Sequence, residues 1–214
     1  MNYFVKTPWW LKKIYPSYTW NIKTDEKIIY LTFDDGPHER ATVFVLEELK
    51  KYNAKASFFC IGKNVVAHPE LYNRIIEEGH TTGNHTYHHL NGWKTPDEIY
   101  LKDVAEAKKY IHSPLFRPPY GRIRSFQAKH IAAAMNDAAA KVIMWDVLSG
   151  DFDQEITKEQ CLQNVVLNAT KGSIVVFHDS AKAFPLLQAC LPDTLKFFSR
   201  KGFRFEALIK KGIE

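Results

Sequence analysis

The sequence predicts an α/β protein built from parallel strands and the helices that connect them. About seven β-rich runs alternate with stretches whose apolar residues have helical spacing, which is the pattern of repeated βα units. One of those runs reads Ile174-Val175-Val176-Phe177, and a continuous apolar run is typical of a parallel strand covered on both faces. No G-x-G-x-x-G motif follows the first run, so a dinucleotide-binding fold has no support. A barrel and an open doubly wound sheet remain as alternatives.

The strands are predicted from β-branched and aromatic residues that are bounded by turn formers. The first of them, residues 27–33, reads KIIYLTF and ends at the turn signal Asp35-Gly36-Pro37. A second short strand, within residues 115–120, is expected to continue directly into a turn. The remaining predicted strands are residues 55–61, 81–85, 141–148, 173–177 and 203–208.

The helices between these strands are predicted from spacing and from their end signals. Residues 42–52 carry Val43, Leu46 and Leu49 at helical spacing. Pro69 and Gly79 are typical of the first turn and of the residue after the last turn of a helix, so they bound a second one. The remaining predicted helices are residues 97–111, 127–140, which are rich in alanine, 157–168 and 186–200.

Composition narrows the class of protein. The 214 residues are 45% apolar and 25% charged, as in an ordinary globular domain, which excludes disordered and collagenous chains. The net charge of +5 is spread along the chain without a dense basic stripe, so no nucleic-acid partner is expected. Cys60, Cys161 and Cys190 lack metal or redox spacing and are expected to be buried thiols.

The first 26 residues are expected to form an arm that packs on the body through Pro8, Trp9 and Trp10. This segment has no apolar run of signal-peptide length, and nowhere are there the about 20 apolar residues that a spanning helix needs. We therefore expect no membrane span, and a cytoplasmic address is favoured. The oligomeric state does not follow from the sequence.

Residues able to do chemistry recur at the carboxyl ends of the predicted strands. In parallel α/β architectures this edge carries the loops that form active sites. We therefore expect these side chains to converge. They are Asp34 and Asp35, His85, His88 and His89, Arg117 and Tyr120, Asp146 and Asp151, and His178 and Asp179.

His85 and His89 have i, i+4 spacing, which would put both imidazoles on one side of a helical turn. With a carboxylate from another strand end they would complete a two-histidine, one-carboxylate set, as in catalytic zinc sites and in non-haem Fe(II) oxygenases. Of the adjacent Asp34 and Asp35, one can bind metal while the other stays free as a base. A free base with His178 as a distant acid favours hydrolysis over oxygen activation.

Three motifs together carry a family resemblance. Residues 32–37 read TFDDGP, residues 85–89 read HTYHH and residues 117–120 read RPPY. The combination resembles the polysaccharide deacetylases of carbohydrate esterase family four, the NodB homology domain, over nearly the whole chain. The resemblance implies a distorted (β/α)7 TIM-like barrel over residues 27–214. It also implies metal-dependent removal of N-acetyl groups from poly- or oligosaccharides that contain N-acetylglucosamine.

The resemblance also implies roles for individual residues. Asp34 is similar to the catalytic base, and His178, within Val176-Phe177-His178, is similar to the general acid of the family's L-x-H motif. Arg117 corresponds to the residue that orients the base, and the backbone N–H of Tyr120 to an oxyanion donor. One divalent ion is expected, with Zn²⁺ favoured over Co²⁺ or another ion. Its implied ligands are Asp35, His85 and His89.

The family's fourth motif, commonly D-x-x-D-W, is altered in this chain. Leu148 replaces its first aspartate, Asp151 is retained as the expected partner of Arg117, and Phe152 replaces the tryptophan. Val176 replaces the leucine of L-x-H. Phe152 and Val176 are expected to line the acetyl site, with Tyr120 and Trp93 as further substrate contacts. A related amidase or esterase acting on a non-sugar or O-acetylated substrate, and a catalytically silent sugar-binding module, remain as alternatives.

Overall fold

The computed structural model describes residues 3–208, and its centre is a parallel sheet. The strands lie in the order β5-β4-β3-β2-β1-β7-β6, with β8 paired to the start of β1. Every strand pair is parallel, as the alternation of strands and helices predicts. The strands are β1 Ile28–Asp34, β2 Ser57–Cys60, β3 Thr81–Asn84, β4 Leu115–Phe116, β5 Lys141–Val142, β6 Val147–Leu148, β7 Ile174–His178 and β8 Arg204–Phe205.

The segment 141–148, predicted as one strand, is divided in two and spans the gap between the edges of the sheet. Its first half pairs with β4, where the Ile143 N–H donates to Phe116 O at 2.8 Å. Its second half pairs with β7, where the Asp146 N–H donates to Ile174 O at 3.0 Å. The curled sheet with this irregular closure is the distorted (β/α)7 barrel that was expected. That expectation is confirmed.

Helices cover the outside of the sheet, and two of them were not predicted. The unpredicted helices, α1 and α3, have only six residues each and little periodicity to detect. The Ala-rich helix ends earlier than expected, and Asn136 just beyond it has a positive φ of 47°. The helices are α1 Trp9–Ile14, α2 Ala41–Lys51, α3 Gly62–Ala67, α4 Pro69–Glu77, α5 Asp97–Lys108, α6 Ser125–Ala134, α7 Lys158–Val166 and α8 Phe184–Arg200.

The core fixes the position of β1. All seven residues of β1 are buried, as suits a central parallel strand with both faces covered. Phe33 stacks against Phe58 of β2 and Phe177 of β7, with ring centroids 5.1 and 6.0 Å apart. The register places Asp34 opposite His178. The carboxyl ends of β1 and β7 are therefore held together by packing, before any polar contact is considered.

The N-terminal arm is attached to the barrel by polar contacts and by two buried side chains. Trp20 and Ile22 are buried, whereas Trp9 and Trp10 are exposed, so the predicted aromatic anchor is wrong. Lys6 and Lys12 each contact the buried carboxylate of Asp146 at 2.6 Å. Burial alone would raise the pKa of Asp146, but the hydrogen bonds from Lys12, Lys6 and Ser173 lower it. Asp146 therefore fastens the arm and takes no part in the site.

Two further expectations concern cysteines and membranes. Cys60, Cys161 and Cys190 are all buried and free, as predicted. Within residues 3–208, no helix combines the length and apolar character that crossing a bilayer requires.

Candidate active site

The two aspartates after β1 point in different directions because the backbone turns sharply between them. Asp34 is the last residue of β1 and is buried, whereas Asp35 has a positive φ of 82°. The turn is held from two sides. The Asn64 side-chain amide donates to Asp35 O at 2.7 Å, and the Asp179 carboxylate accepts from the Gly36 N–H at 3.0 Å. This local conformation gives the adjacent carboxylates separate surroundings.

Asp35, His85 and His89 come together as the sequence predicts for a metal site. One ligand atom from each lies within 4.8 Å of the others, and Asp35 Oδ1 is 3.1 Å from His89 Nε2 and 3.6 Å from His85 Nε2. Asp35 Oδ1 is buried and has no partner in hydrogen-bonding geometry. A buried carboxylate oxygen left in that state, facing two imidazole nitrogens, is what a divalent cation would satisfy. The donor set therefore fits a metal ion.

The protonation states of His85 and Asp35 are also those that metal binding requires. His85 Nδ1 lies 2.7 Å from Arg117 O, and because a carbonyl only accepts, Nδ1 carries the proton and Nε2 presents its lone pair to Asp35. Burial lowers the pKa of His85 to about 4, so the ring is neutral at neutral pH. Burial alone would raise the pKa of Asp35, but the imidazoles of His89, His178 and His85 outweigh it and hold that pKa below its usual value.

The loop that carries the two histidines is not the predicted helical turn. Thr86 and His89 have positive φ angles of 63° and 60°, so the i, i+4 spacing acts through an irregular loop. Asp103 of α5 holds this loop by accepting from the Tyr87 and His88 N–H groups, both at 2.9 Å. Sequence reasoning missed Asp103. The signal available in the sequence was an acidic residue at helical spacing from apolar Tyr100 and Ala107. The exposed His88 ring also contacts Asp103 and lies outside the triad.

Arg117 is fully buried and holds Asp34. Its Nη1 donates to Asp34 Oδ1 and to Thr32 Oγ1, both at 2.7 Å. Its remaining nitrogens donate to the carbonyls of Ile143 and Met144 at 3.1 and 3.0 Å. Burial lowers the pKa of Arg117, and the Asp34 carboxylate opposes that effect. Because all three nitrogens of the Arg117 guanidinium donate hydrogen bonds, the guanidinium is fixed in place. The Asp34 carboxylate bonded to it therefore has little freedom to rotate.

Asp151 pairs with His178 and not with Arg117, so that part of the prediction is wrong. Asp151 Oδ1 lies 2.8 Å from His178 Nδ1, and Asp151 Oδ2 accepts from the His178 N–H at 2.7 Å. Burial alone would lower the pKa of His178, but the charge and hydrogen bond of Asp151 raise it to about 9. His178 is therefore protonated at neutral pH, with Nε2 not engaged by Asp151.

The remaining predicted residues surround these groups. The Tyr120 ring lies 4.6 Å from the His89 ring. Within residues 3–208 the backbone N–H of Tyr120 has no hydrogen-bond partner. Phe152 meets the His178 ring edge-on at 5.1 Å. Val176 is buried two residues before His178, on the same face of β7. Trp93 lies four residues after His89 in the chain, and its Nε1 donates to Ile123 O at 3.1 Å.

Comparison with known proteins identifies the family. A family model described as polysaccharide deacetylase matches residues 21–142, more than half of the 214-residue chain. The chain belongs to the polysaccharide deacetylase family. It is therefore a deacetylase, and the resemblance drawn from TFDDGP, HTYHH and RPPY is confirmed.

Relatives of this deacetylase match along most of its length. A peptidoglycan-N-acetylglucosamine deacetylase of Bacillus cereus is 35% identical over 193 residues, which cover 87% of this chain and 89% of the relative. A chitooligosaccharide deacetylase of Azorhizobium caulinodans is 29% identical, covering 87% and 86%. Other relatives are longer, and the chain spans 62% or 38% of their length.

A solved structure supports the fold. The Bc1960 peptidoglycan N-acetylglucosamine deacetylase, in complex with 4-naphthalen-1-yl-N-oxidanyl-benzamide, superposes with a TM-score of 0.83 and 28% identity. The match covers 94% of this chain and 95% of the other. Leu148 is buried in β6 and lies in register with Val176 of β7. This deacetylase therefore has a leucine in a core position where the family's fourth motif commonly has an aspartate.

Proposed function

We propose that this deacetylase hydrolyses the N-acetyl group of N-acetylglucosamine units in a poly- or oligosaccharide, releasing acetate and leaving a free amine. The observation that carries the proposal is the presence of two oppositely charged groups near one ligand triad. Asp34 is held by Arg117, and protonated His178 is held by Asp151. The relatives that act on peptidoglycan and on chitooligosaccharides support N-acetylglucosamine as the shared unit.

The ion proposed for the triad is Zn²⁺. Two histidines and one carboxylate that leave a position open are typical of catalytic zinc sites, although Co²⁺ or another divalent ion can bind the same donors. Asp35, His85 and His89 would hold it. When bound, a divalent ion supplies Lewis acidity, lowering the pKa of water and polarising a carbonyl.

The chain's own residues perform the proton transfers. Asp34, oriented by Arg117, would accept a proton from the attacking water, and His178 would donate one to the departing amine nitrogen from Nε2. The Tyr120 N–H would donate to the oxyanion of the tetrahedral intermediate. Phe152 beside the His178 ring, and Val176 on the same strand face as His178, would border the acetyl methyl group.

The competing functions predict different roles for His178. A sugar-binding module has no use for a half-buried histidine whose pKa is raised to about 9 by a buried carboxylate. An esterase needs such an acid less than an amidase, because an alkoxide leaves more readily than an amide anion. The His178–Asp151 pair therefore favours amide hydrolysis over both alternatives.

Acetate release from defined polymers tests the proposal. The chelated protein is expected to release no acetate from chitooligosaccharides or peptidoglycan, and stoichiometric Zn²⁺ is expected to restore release, because water needs an activating cation here. Acetylxylan, which carries O-acetyl groups, separates amide from ester preference. Full activity in the metal-free protein would contradict the metal assignment, and release from acetylxylan alone would support the esterase.

The pH profile tests the His178–Asp151 pair. Asp151→Asn removes the charge that raises the pKa of His178, while burial still lowers it. Since His178 must be protonated to act, activity is lost as pH rises through its pKa. The alkaline limb of kcat should therefore move down by about one pH unit or more, the usual effect of one nearby charge. Asp153→Asn, two residues away, is the matched control. An unmoved limb in Asp151→Asn would contradict the pairing.

A further inference from the structure

Trp93 and Arg122 form a stacked pair on the surface beside the catalytic loops. The Arg122 guanidinium carbon lies 4.0 Å from the centroid of the Trp93 ring. Both residues are exposed, yet neither is loosely held. The Trp93 Nε1 donates to Ile123 O at 3.1 Å, and the Arg122 N–H donates to Pro119 O at 3.0 Å.

Each member of the pair lies close in sequence to a residue of the site. Trp93 follows His89 by four positions and Arg122 follows Tyr120 by two, and the His89 and Tyr120 rings are in contact. The two loops are joined again at the pair itself, where the Gly92 N–H donates to Arg122 O at 3.1 Å. A side chain at Gly92 would place its Cβ 2.5 Å from that oxygen, so only glycine permits this approach.

The buried side chain of Gln127 also fixes the position of the loop that contains Gly92. Gln127 Nε2 donates to Gly92 O at 2.9 Å, and Gln127 Oε1 accepts from the Arg124 N–H at 3.0 Å. Because Gln127 is fully buried, these bonds hold the loop before Trp93 against the start of α6. The Trp93–Arg122 pair is therefore held in a fixed position beside the site.

Arg122 differs from the neighbouring Arg124 in its charge partners. Within residues 3–208, Arg122 makes no ion pair, whereas the neighbouring Arg124 pairs with Asp97 at 3.2 Å and also donates to Trp93 O. Stacking occupies one face of the Arg122 guanidinium and leaves its N–H edge open. That planar edge matches the two oxygens of a carboxylate, and the stack reduces the freedom lost on binding.

We propose that the Trp93–Arg122 pair is a subsite for a carboxylate-bearing sugar adjacent to the N-acetylated unit that reacts. This inference rests on the proposed function and narrows it. The preferred substrate is an acidic glycan in which N-acetylglucosamine alternates with a carboxylated sugar. A neutral homopolymer of N-acetylglucosamine would leave the Arg122 charge without a partner.

The test uses one polymer in two charge states. Peptide-free glycan strands of alternating N-acetylglucosamine and N-acetylmuramic acid carry one lactyl carboxylate per disaccharide, and amidation removes that charge while keeping the chain. The wild-type ratio of kcat/KM for free over amidated strands is expected to be about ten, a modest value because the contact is exposed. In Arg122→Ala the ratio should fall to about one.

A control variant removes an arginine charge elsewhere. Arg204→Ala also loses an exposed arginine, but β8 pairs with the beginning of β1, at the end of that strand opposite Asp34. This variant should keep the wild-type ratio. A wild-type ratio near one, an unchanged ratio in Arg122→Ala, or an equal fall in Arg204→Ala would each overturn the subsite.

Failure of the subsite and failure of the proposed function have different signatures. Acetate release from chitooligosaccharides but from neither form of the strands would overturn the subsite and leave N-deacetylation standing. Release from none of these substrates by the zinc-loaded protein would overturn the proposed function itself.

Discussion

Asp34→Asn is expected to keep the metal and lose turnover by about 10²–10⁴-fold, the usual contribution of a general base. Asp35→Asn is expected to lose the metal. The difference follows from the turn between them. Asp35, at a positive φ, faces His85 and His89, whereas Asp34 faces Arg117. An asparagine at position 34 cannot accept the proton, and an asparagine at position 35 offers a neutral oxygen to the cation.

The measurement must separate chemistry from folding, because Asp34 is the only carboxylate that pairs with buried Arg117 within residues 3–208. Breaking a buried ion pair costs about 3–5 kcal/mol. In Asp34→Asn the new amide oxygen can still accept from Arg117, and the contacts to Thr32, Ile143 and Met144 are unaffected. Turnover is therefore counted per metal-bound chain, alongside thermal unfolding. Equal metal loss in both variants would contradict this division of roles.

The barrel could be predicted from the sequence only as far as local signals extend. Turn residues and apolar runs located each predicted strand approximately. The division of residues 141–148 could not be foreseen, because it depends on partners distant in sequence. Residue 143 bonds to β4, and residue 146 bonds to β7. The arm has the same limitation: Trp20 and Ile22 are buried by neighbours that their own segment does not reveal.

In the site, too, the sequence could not predict which side chains pair with each other. The motifs located Asp34, Asp35, His85, His89 and His178, but the partner of Asp151 depends on strand order. Asp151 follows β6, which is hydrogen-bonded to β7, and so it falls beside His178 at the end of β7. Arg117 follows β4 and contacts β1. Sequence spacing cannot distinguish these neighbours, since both partners carry a positive charge that would suit Asp151.

The second large effect is expected at His178. Expulsion of an amine from a tetrahedral intermediate requires a proton, because an amide anion is a very poor leaving group. His178→Ala should therefore lower N-deacetylation by about 10²–10⁴-fold and hydrolysis of an activated acetate ester far less. The pKa of His178, raised to about 9 by Asp151 against the effect of burial, keeps the ring protonated at neutral pH. Wild-type activity should fall as pH rises through that value, and this alkaline limb should disappear in the variant.

The control removes the carboxylate that the variant leaves behind. In His178→Ala, fully buried Asp151 keeps the backbone N–H at 2.7 Å but loses the imidazole, so destabilisation could mimic a catalytic defect. The double variant His178→Ala, Asp151→Asn no longer has that unpaired charge and should recover thermal stability without recovering amide turnover. If amide and ester hydrolysis fell equally and both pH limbs persisted, His178 would be structural. The proton donor would then have to be a group other than His178, since the amine still cannot leave unprotonated.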